Sequence, residues 1–277
     1  MIIKTLLSGD LPRSRILSAM LLLVLFGLIL APFVFPGARA LNVAATICVF
    51  VVLVASYDLL LGYTGVVSFA HTMFYGIGAY GVGLALNGMG PSWWAVFVGT
   101  SGALALSLVL ALVIGLFSLR VKAIFYAMIT LAVASAFAVL ASQLSDFTGG
   151  EDGRTFRVPE MLQPGFRLLD TEILGRAIDG KLITYYLVFF SALALFLFML
   201  RIVNSPFGRV LQAIRENDFR AEALGYRTVV YRTLANCLGA LIATLAGVLM
   251  ALWLRYVGPK TMLSFEVMTD ILLIVVI

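Results

Sequence analysis

Long apolar runs alternate with short polar segments along the whole chain. Since a helix needs about 20 apolar residues to span the hydrocarbon core of a bilayer, each run of that length predicts one crossing. Such runs lie at 16–35, 42–61, 68–87, 93–118, 123–144, 182–201 and 229–254. An eighth run begins near Asp270 and is still apolar at Ile277. The pattern predicts an all-α fold, a polytopic transmembrane bundle of roughly eight helices.

The chain, 1–277, is predicted to form a single transmembrane domain with five parts. These are the first five helices (16–144), an outer loop (145–181), helix six (182–201), a polar segment (202–228) and the C-terminal helices (229–277). Because the last apolar run is too short to span, we expect the natural chain to continue beyond Ile277.

Composition favours lipid as the solvent. The chain is 62% hydrophobic and 12% charged, whereas soluble domains carry about 25% charged residues. A net charge of +5 is too small to indicate nucleic-acid binding, so the lipid bilayer is the expected partner. Cys48 and Cys237 lie in apolar runs, which predicts two small buried hydrophobes rather than a disulfide or a metal pair.

The first apolar run has a basic start, as a secretory signal peptide does. Lys4 and Arg13 precede it, and Ala38-Arg39-Ala40 resembles a cleavage site. However, Ile16–Val34 is longer than the apolar core of about 7–15 residues in a signal peptide. We therefore interpret this run as a retained helix.

Basic residues in short loops favour the cytoplasmic side of a membrane. If the N-terminus is cytoplasmic, the loops after helices two, four and six also lie inside. The basic residues of these inside segments are Lys4, Arg13, Arg15, Arg120, Lys122, Arg201, Arg209, Arg215, Arg220, Arg227 and Arg232. The short outside loops hold only Arg39, Arg255 and Lys260. We therefore expect a multi-pass protein with a cytoplasmic N-terminus.

Enzyme motifs are missing from the sequence. There is no G-x-x-x-x-G-K-[ST] phosphate-binding loop and no G-x-S-x-G nucleophile elbow. His71 is the only histidine, which excludes a multi-histidine metal cluster. We expect no catalytic residue, cofactor or metal site in this chain. Uphill transport would need energy from another subunit or from an ion gradient.

The polar segment 201–232 has the pattern of two short helices. Ser205-Pro206 suits the start of the first helix, with the serine as its cap. Asn217 or Asp218 is placed to cap the second helix, and Gly225 to end it. The sequence therefore predicts short helices at one mouth of the bundle.

One face of the first short helix carries an apolar stripe. Its members recur at i, i+3, i+4 and i+7, as Phe207, Val210, Leu211 and Ile214. A solvated loop, or a helix resting on lipid headgroups, is one interpretation. The narrow stripe and the mixed charges around it favour a groove on another protein.

Two stretches carry a family resemblance. FGRVLQAIRENDFRAEALGY (207–226) resembles the cytoplasmic coupling segment of bacterial ABC-importer permeases. Together with DLLLGYTGVVSFAHTMFYGIGAY (58–80), it is similar to the permeases of high-affinity branched-chain amino-acid importers. The Ala-Ile-Arg-Glu-Asn spelling favours the LivM-type paralogue. The similarity extends from about Leu41 to Ile277. Asp58 departs from the family, which more often has a neutral residue such as Asn.

The resemblance implies an assembly in the bacterial inner membrane. Its parts are this chain, a paralogous or identical second permease, two ABC ATPase subunits that bind ATP and Mg, and a periplasmic solute-binding protein. The implied solute is a branched-chain amino acid, or a relative such as urea, an amide or an aromatic acid. An E-A-A…G-type motif would dock into the ATPase. The expected coupling residues are Phe207, Gly208, Arg215, Glu216, Glu222, Ala223 and Gly225.

The stretch 58–80 is too polar and too rich in glycine for a helix that faces lipid. Non-helical backbone at membrane depth is tolerated only inside protein or beside a water-filled cavity. Gly62–Gly65 is therefore a candidate break between two half-helices of a solute pathway. Alternatively, the glycines serve helix packing and His71 bonds to a neighbouring carbonyl. The candidate pathway residues are Asp58, Tyr63, Thr64, Gly65, Ser68, His71, Gly76, Gly78 and Tyr80.

The outer segment 145–181 begins with a Gly-rich turn. The resemblance places a similar Thr-Gly-Gly turn in the family's periplasmic loop, where it implies contact with the solute-binding protein. An ordinary polar hairpin between two spans is the alternative. The residues of this receptor-facing loop are Thr148, Gly149, Gly150, Asp152 and Gly153.

A second class of function is an ion-coupled secondary transporter, in which Asp58, His71 or Asp270 handles the ion. Such proteins often contain inverted repeats, and no convincing internal repeat is visible here. Ion coupling would also leave the segment 201–232 with nothing to dock. The sequence therefore favours the ABC permease.

Overall fold

A computed structural model describes residues 15–34, 37–118, 123–167 and 179–277. Helices cover the predicted apolar runs. In chain order they are α1 Arg15–Val34, α2 Ala38–Thr64, α3 His71–Met89, α4 Trp93–Ser118, α5 Ala123–Gln143, α6 Ser145–Thr148, α7 Gly180–Asn204, α8 Pro206–Glu216, α9 Asp218–Ala223, α10 Thr228–Leu254, α11 Pro259–Met262 and α12 Phe265–Val276. Four basic residues of the orientation argument (Lys4, Arg13, Arg120 and Lys122) lie outside the described residues, as do positions 168–178.

Five of the described helices are long and apolar enough to cross a membrane. They are Ala38–Thr64, Trp93–Leu116, Ile124–Gln143, Gly180–Asn204 and Thr228–Leu254. Two two-residue strands, β1 (Arg154–Thr155) and β2 (Tyr256–Val257), pair as an antiparallel ribbon. The predicted all-α, polytopic bundle is therefore confirmed.

The helix α10 forms the centre of the bundle, where it packs against α2, α3 and α4. Its backbone touches that of α3. An added Cβ on Gly78 would lie 1.9 Å from the carbonyl oxygen of Thr244, and one on Gly247 would lie 1.9 Å from that of Tyr75. Such close approach requires small residues at the crossing. The packing interpretation is therefore confirmed for Gly78.

Buried polar side chains pair across the contact between α4 and α10. The Thr244 hydroxyl donates to the Ser107 hydroxyl over 2.6 Å, and the Asn236 side-chain amide donates to the Ala111 carbonyl oxygen over 2.9 Å. No water is available in a bilayer core to satisfy such groups. These bonds therefore fix the register of the two helices as well as their contact.

The first apolar run packs on the bundle as a helix. Pro32 lacks an N–H, so it leaves the carbonyl of Leu28 without its usual partner inside α1. The Tyr185 hydroxyl of α7 donates to that carbonyl oxygen over 2.6 Å. A break in one helix is thus satisfied by its neighbour. Both cysteines, Cys48 and Cys237, are free and buried, as predicted.

Candidate functional site

A non-helical segment, residues 65–70, joins α2 to α3 and is called the connecting segment below. Gly65 has φ +71°, and its N–H bonds to the Leu61 carbonyl oxygen, so it ends α2. The break was expected at Gly62–Gly65. It lies later because Gly62 is still helical, with the Asp58 side chain packed over it.

The connecting segment is held inside the chain. His71 Nε2 lies 2.9 Å from the Ser56 hydroxyl oxygen, so its partner is a hydroxyl rather than the predicted carbonyl. The Phe69 N–H donates to the Thr130 hydroxyl over 3.0 Å. Ser68 and His71 are fully buried. Their role in a pathway stays a prediction.

The other candidate pathway residues are either buried in helix packing or partly exposed. Thr64 donates to the Leu60 carbonyl oxygen over 2.5 Å, and Tyr63 is half-buried. An added Cβ on Gly76 would meet the side chain of Leu263, and Tyr80 is buried. The structure therefore brings this stretch together mainly as a helix-packing surface.

An open groove of about 390 Å³ runs along one side of the bundle. One wall is α5, which presents Ser135, Ala138 and Ser142 at helical spacing. The other wall is the segment from α11 to α12, and Thr72 lines the groove from α3. The apolar window of α5 is only 17% buried within the chain, against 78% for α10. The groove therefore lies along the helix that is least buried among the five candidate spans.

Two stacked aromatic rings line the groove and are called its floor below. Phe69 of the connecting segment and Phe265, which opens α12, are stacked with centroids 6.3 Å apart. Next to the two rings, the Leu263 side chain packs against Gly76 of α3. Gly76 lies 13 residues before Met89, the last residue of that helix. At 1.5 Å per residue this contact lies about 20 Å inside the helix. The chain between β2 and α12 thus re-enters the bundle and meets the connecting segment.

The mouth of the groove carries two opposite charges, Glu151 and Lys260. Sequence reasoning missed both of them, and it missed the serines of α5. The repeat of Ser135 and Ser142 two helical turns apart in an apolar run was the available signal. Nothing in the sequence alone brings residues 151 and 260 together, because the ribbon that joins them is a long-range pairing.

The apolar stripe of α8 packs against its own bundle. Leu211 and Ile214 are fully buried, and Phe207 stacks on Tyr231 with ring centroids 5.8 Å apart. An added Cβ on Gly208 would lie 1.9 Å from the Val203 carbonyl oxygen. The expectation that this stripe fits a groove on another protein is therefore wrong, because the chain covers the stripe itself.

The helix caps of this segment follow the prediction with one exception. Asn217 accepts a hydrogen bond from the Arg220 N–H over 2.9 Å, and Gly225 has φ +92° just after α9. Pro206 occupies the first turn of α8. The Ser205 hydroxyl, predicted to cap α8, instead donates backwards to the Ile202 carbonyl oxygen over 2.6 Å.

Arg215 turns from α8 toward the end of α2. Its guanidinium donates to the Gly62 carbonyl oxygen, and an added Cβ on Gly65 would lie 3.2 Å from its Cγ. Asp58 is near enough for its charge to interact with Arg215. One junction thus brings together residues from two predicted sets. Asp58 and Gly65 were predicted for the pathway, and Arg215 was predicted for coupling.

The outward face of α8 and α9 is polar with two apolar side chains. Phe219 is 86% exposed and Leu224 72% exposed. Among the predicted coupling residues, Glu216, Ala223 and Gly225 share this exposed face. Glu222 accepts from the Thr228 hydroxyl over 2.7 Å. Phe219 and Leu224 were missed because they lie outside the apolar stripe.

The Gly-rich loop forms a tight turn at the opposite end of the bundle. Thr148 is buried, and its hydroxyl donates to the Ala141 carbonyl oxygen over 2.5 Å. Gly149, Gly150 and Gly153 all have positive φ. The carbonyl oxygen of Asp152 accepts from the Tyr256 hydroxyl over 2.8 Å. The predicted turn is confirmed, and contact with a receptor stays a prediction.

Arg255 fixes the exit from α10 into β2. It has φ +56°, and its N–H bonds to the Ala251 carbonyl oxygen over 2.8 Å. The guanidinium donates to the Leu162 carbonyl oxygen over 3.2 Å. Burial lowers the pKa of this guanidinium below its usual value. The interaction therefore anchors the ribbon to the loop that follows β1.

Residues 39–277 match the family model described as the permease component of the branched-chain amino acid transport system. No solved structure matches the chain.

Three relatives are LivM permease proteins of branched-chain amino acid transport, one of them named as probable. The Escherichia coli protein is 24% identical over 249 residues, which cover 85% of this chain and 57% of the relative. The Salmonella typhimurium protein is 25% identical over 253 residues, covering 86% and 58%. A probable LivM of Methanocaldococcus jannaschii is 40% identical over 68 residues, covering 24% and 20%. The chain thus spans less than three-fifths of the length of each.

Proposed function

The chain belongs to the family of branched-chain amino acid transport permease components, and from that premise we propose that it is the membrane-spanning subunit of an ATP-driven importer. Its solute is a branched-chain amino acid or a related small molecule such as urea, an amide or an aromatic acid. ATP and Mg bind to two partner ABC ATPases, and a periplasmic solute-binding protein delivers the solute. The protein lies in the bacterial inner membrane with its N-terminus and the α8–α9 segment in the cytoplasm.

The exposed pair Phe219 and Leu224 is the observation that carries this proposal. Two large apolar side chains, 86% and 72% exposed, stand on a polar segment whose own apolar stripe is already buried. Apolar anchors surrounded by polar groups are typical of protein interfaces. In this assembly they insert into an ATPase subunit, and Glu216, Ala223 and Gly225 form the rim of the contact.

Transmission to the membrane runs through Arg215. It connects α8 to the last turn of α2 and lies against Gly65, where the connecting segment begins. That segment carries Phe69, half of the aromatic floor of the groove. A movement of α8 when the ATPases close would therefore displace the floor, which provides alternating access.

The groove and the exposed face of α5 form the solute pathway together with a second permease, identical or paralogous. Serine hydroxyls on a transmembrane helix are costly against lipid, so Ser135 favours a hydrated surface. Phe69 and Thr72 line this groove, whereas none of the residues predicted for the pathway does. The loop at Thr148–Gly153 lies beside the mouth, where a solute-binding protein would dock.

The test is purification of the full-length protein from its native membrane in mild detergent. We expect a P-loop ATPase to co-purify with the wild type and to be lost with Phe219→Asp or Leu224→Asp. Met161→Asp is the matched control, because this side chain is 47% exposed and lies in the loop after β1. Retention of the ATPase by both coupling variants would contradict the proposed contact.

The ion-coupled alternative gains no support from the structure. Within the described ranges, no three His, Cys, Asp or Glu side chains form a metal-binding group. Asp58 lies at the Arg215 junction, His71 is buried against Ser56, and Asp270 is exposed on α12. Uptake driven by a proton or sodium gradient, in vesicles without ATP, would overturn the ABC assignment.

A further inference from the structure

The β-ribbon aligns the two charges at the mouth of the groove. Arg154 pairs with Val257 and Thr155 with Tyr256. Glu151 and Lys260 each lie three positions beyond the ribbon, on the same side of it, and both line the groove. Contacts between the short helices Gly150–Asp152 and Pro259–Met262 keep the two segments together beyond the strands.

Both backbones are rigidly held at these positions. Glu151 is flanked by Gly150, with φ +63°, and by Asp152, whose carbonyl oxygen accepts from the Tyr256 hydroxyl. Lys260 follows Pro259 in the first turn of α11. Within the described part of the chain, neither charged side chain forms an ion pair within 4 Å. The groove mouth therefore presents one carboxylate and one ammonium that do not neutralise each other.

Below these charges the groove becomes mainly apolar. Leu131, Leu263 and Met268 line it above the stacked rings of Phe69 and Phe265. The hydroxyl of Ser142 already donates to the Ala138 and Val139 carbonyl oxygens of its own helix. A volume of about 390 Å³ lies at the lower end of the range of about 300–1,000 Å³ that is typical of small-molecule sites.

We propose that this mouth is a binding site for a zwitterionic α-amino acid with an apolar side chain. The Glu151 carboxylate receives the α-ammonium, the Lys260 ammonium receives the α-carboxylate, and the solute's side chain points toward Met268 and Phe265. The inference rests on the proposed import function and deepens it, since it selects the amino acid among the solutes considered. A neutral solute such as urea would leave both charges without partners.

The test uses the assembled complex with both permeases and both ATPases in nanodiscs, without the solute-binding protein. A Ser142→Cys variant places a thiol in the groove, while Cys48 and Cys237 are buried. The rate of its modification by a cationic methanethiosulfonate reagent is followed by mass spectrometry. We expect L-leucine to slow this reaction. We expect less protection of the thiol from two analogues of leucine. They are 4-methylpentanoate, which lacks the ammonium, and 3-methylbutylamine, which lacks the carboxylate.

Charge variants then test the two contacts. In the Ser142→Cys background, Glu151→Gln and Lys260→Gln should each raise the half-protecting concentration of L-leucine about tenfold, because each removes a charge-assisted hydrogen bond. The double variant Glu151→Lys/Lys260→Glu should regain protection, since a zwitterion can bind in the reversed orientation. Glu160→Gln, which removes an exposed charge outside the groove, should change nothing.

The outcomes separate this inference from the proposed function. ATP-driven leucine uptake by the wild-type complex, together with equal protection in all charge variants, would overturn the site and leave the importer intact. Weaker affinity for the solute-binding protein in Glu151→Gln, with protection unchanged, would assign the charge to receptor docking and also overturn the site. Absence of any ATP-driven uptake would instead contradict the importer itself.

Discussion

Arg215 donates a hydrogen bond from Nη1 to the carbonyl oxygen of Gly62, an acceptor that the end of α2 leaves free. The Gly65 N–H bonds to the Leu61 carbonyl oxygen, and the Val66 N–H bonds to that of Leu60. The bond from Gly65 is the αL capping motif, and with the bond from Val66 it satisfies two of the last carbonyls of the helix and leaves others free. A cation at a helix C-terminus also interacts favourably with the helix dipole. The junction of α8 and α2 therefore places a cationic donor on a free carbonyl at the end of α2.

Replacing Arg215 should uncouple ATP hydrolysis from transport. Arg215→Gln removes the charge and the contact with Gly62, while the exposed apolar pair Phe219 and Leu224 stays in place. We expect the ATPases to remain bound and active, and ATP-driven uptake in proteoliposomes to fall about tenfold, as for the loss of one charged hydrogen bond. Arg209→Gln, at an exposed position of the same helix, is the control. Equal loss of uptake in both variants would contradict the proposal that Arg215 transmits the movement of α8.

Asp58 offers a direct distinction between the two classes of transporter. Its side chain packs over Gly62 and interacts with Arg215, which is a structural role that an amide of the same shape can largely fill. We expect Asp58→Asn to retain ATP-driven uptake within about threefold, because a partly solvated charge interaction contributes little. Complete loss of uptake, with the complex still assembled, would instead indicate an ion-carrying carboxylate.

The contact between α3 and α10 should tolerate no side chain at Gly78. An added Cβ would lie 1.9 Å from the Thr244 carbonyl oxygen, and backbone cannot move aside as a flexible side chain can. Gly78→Ala should lower the free energy of unfolding by about 1–3 kcal/mol, as overpacking does. The control is Gly88→Ala on the same helix, where an added Cβ meets no described atom within 4 Å. Thermal unfolding in detergent measures both, and equal transition temperatures would contradict the close crossing.

Much of the fold was predictable because a membrane-spanning helix is determined mainly by the hydropathy of its own residues. The eight apolar runs, the cap at Asn217, the Pro206 start and the positive φ at Gly225 all depend on residues close together in sequence. The side chains that form sites depend instead on tertiary contacts. The α8 stripe suggested a partner, yet the bundle itself covers Leu211 and Ile214. An apolar stripe that binds a partner protein and one that packs inside its own bundle have the same periodicity. The sequence pattern alone therefore does not distinguish the two.

The same limit applies to the groove. The stretch 58–80 attracted attention because its glycines and polar groups are unusual in a membrane, but most of them serve packing within the chain. The groove walls came from α5 and from the re-entrant chain between β2 and α12. The ribbon between Arg154–Thr155 and Tyr256–Val257, with contacts between the short helices beyond it, brings Glu151 and Lys260 to one mouth. A two-residue strand pairing across about a hundred positions leaves no hydropathy signal.

The stacked rings of Phe69 and Phe265 should act as a barrier to solute. One ring comes from the connecting segment and the other from the start of α12, and both line the groove. Truncating one ring removes a stacked partner and opens a space of side-chain size, because cores relax only partly around a deletion. Phe265→Ala should therefore admit solute without ATP, measured as leucine efflux from loaded proteoliposomes.

The matched control for this leak is Phe198→Ala. Phe198 lies on α7 and is 53% exposed, close to the 58% of Phe265, but it does not line the groove. We expect efflux to rise several-fold in Phe265→Ala alone, since only that substitution changes the floor. Restoring an aromatic ring with Phe265→Tyr should bring efflux back toward the wild-type rate. If both alanine variants leak equally, the barrier to solute lies elsewhere in the pathway. The proposed transmission from Arg215 through the connecting segment to the floor would then be wrong.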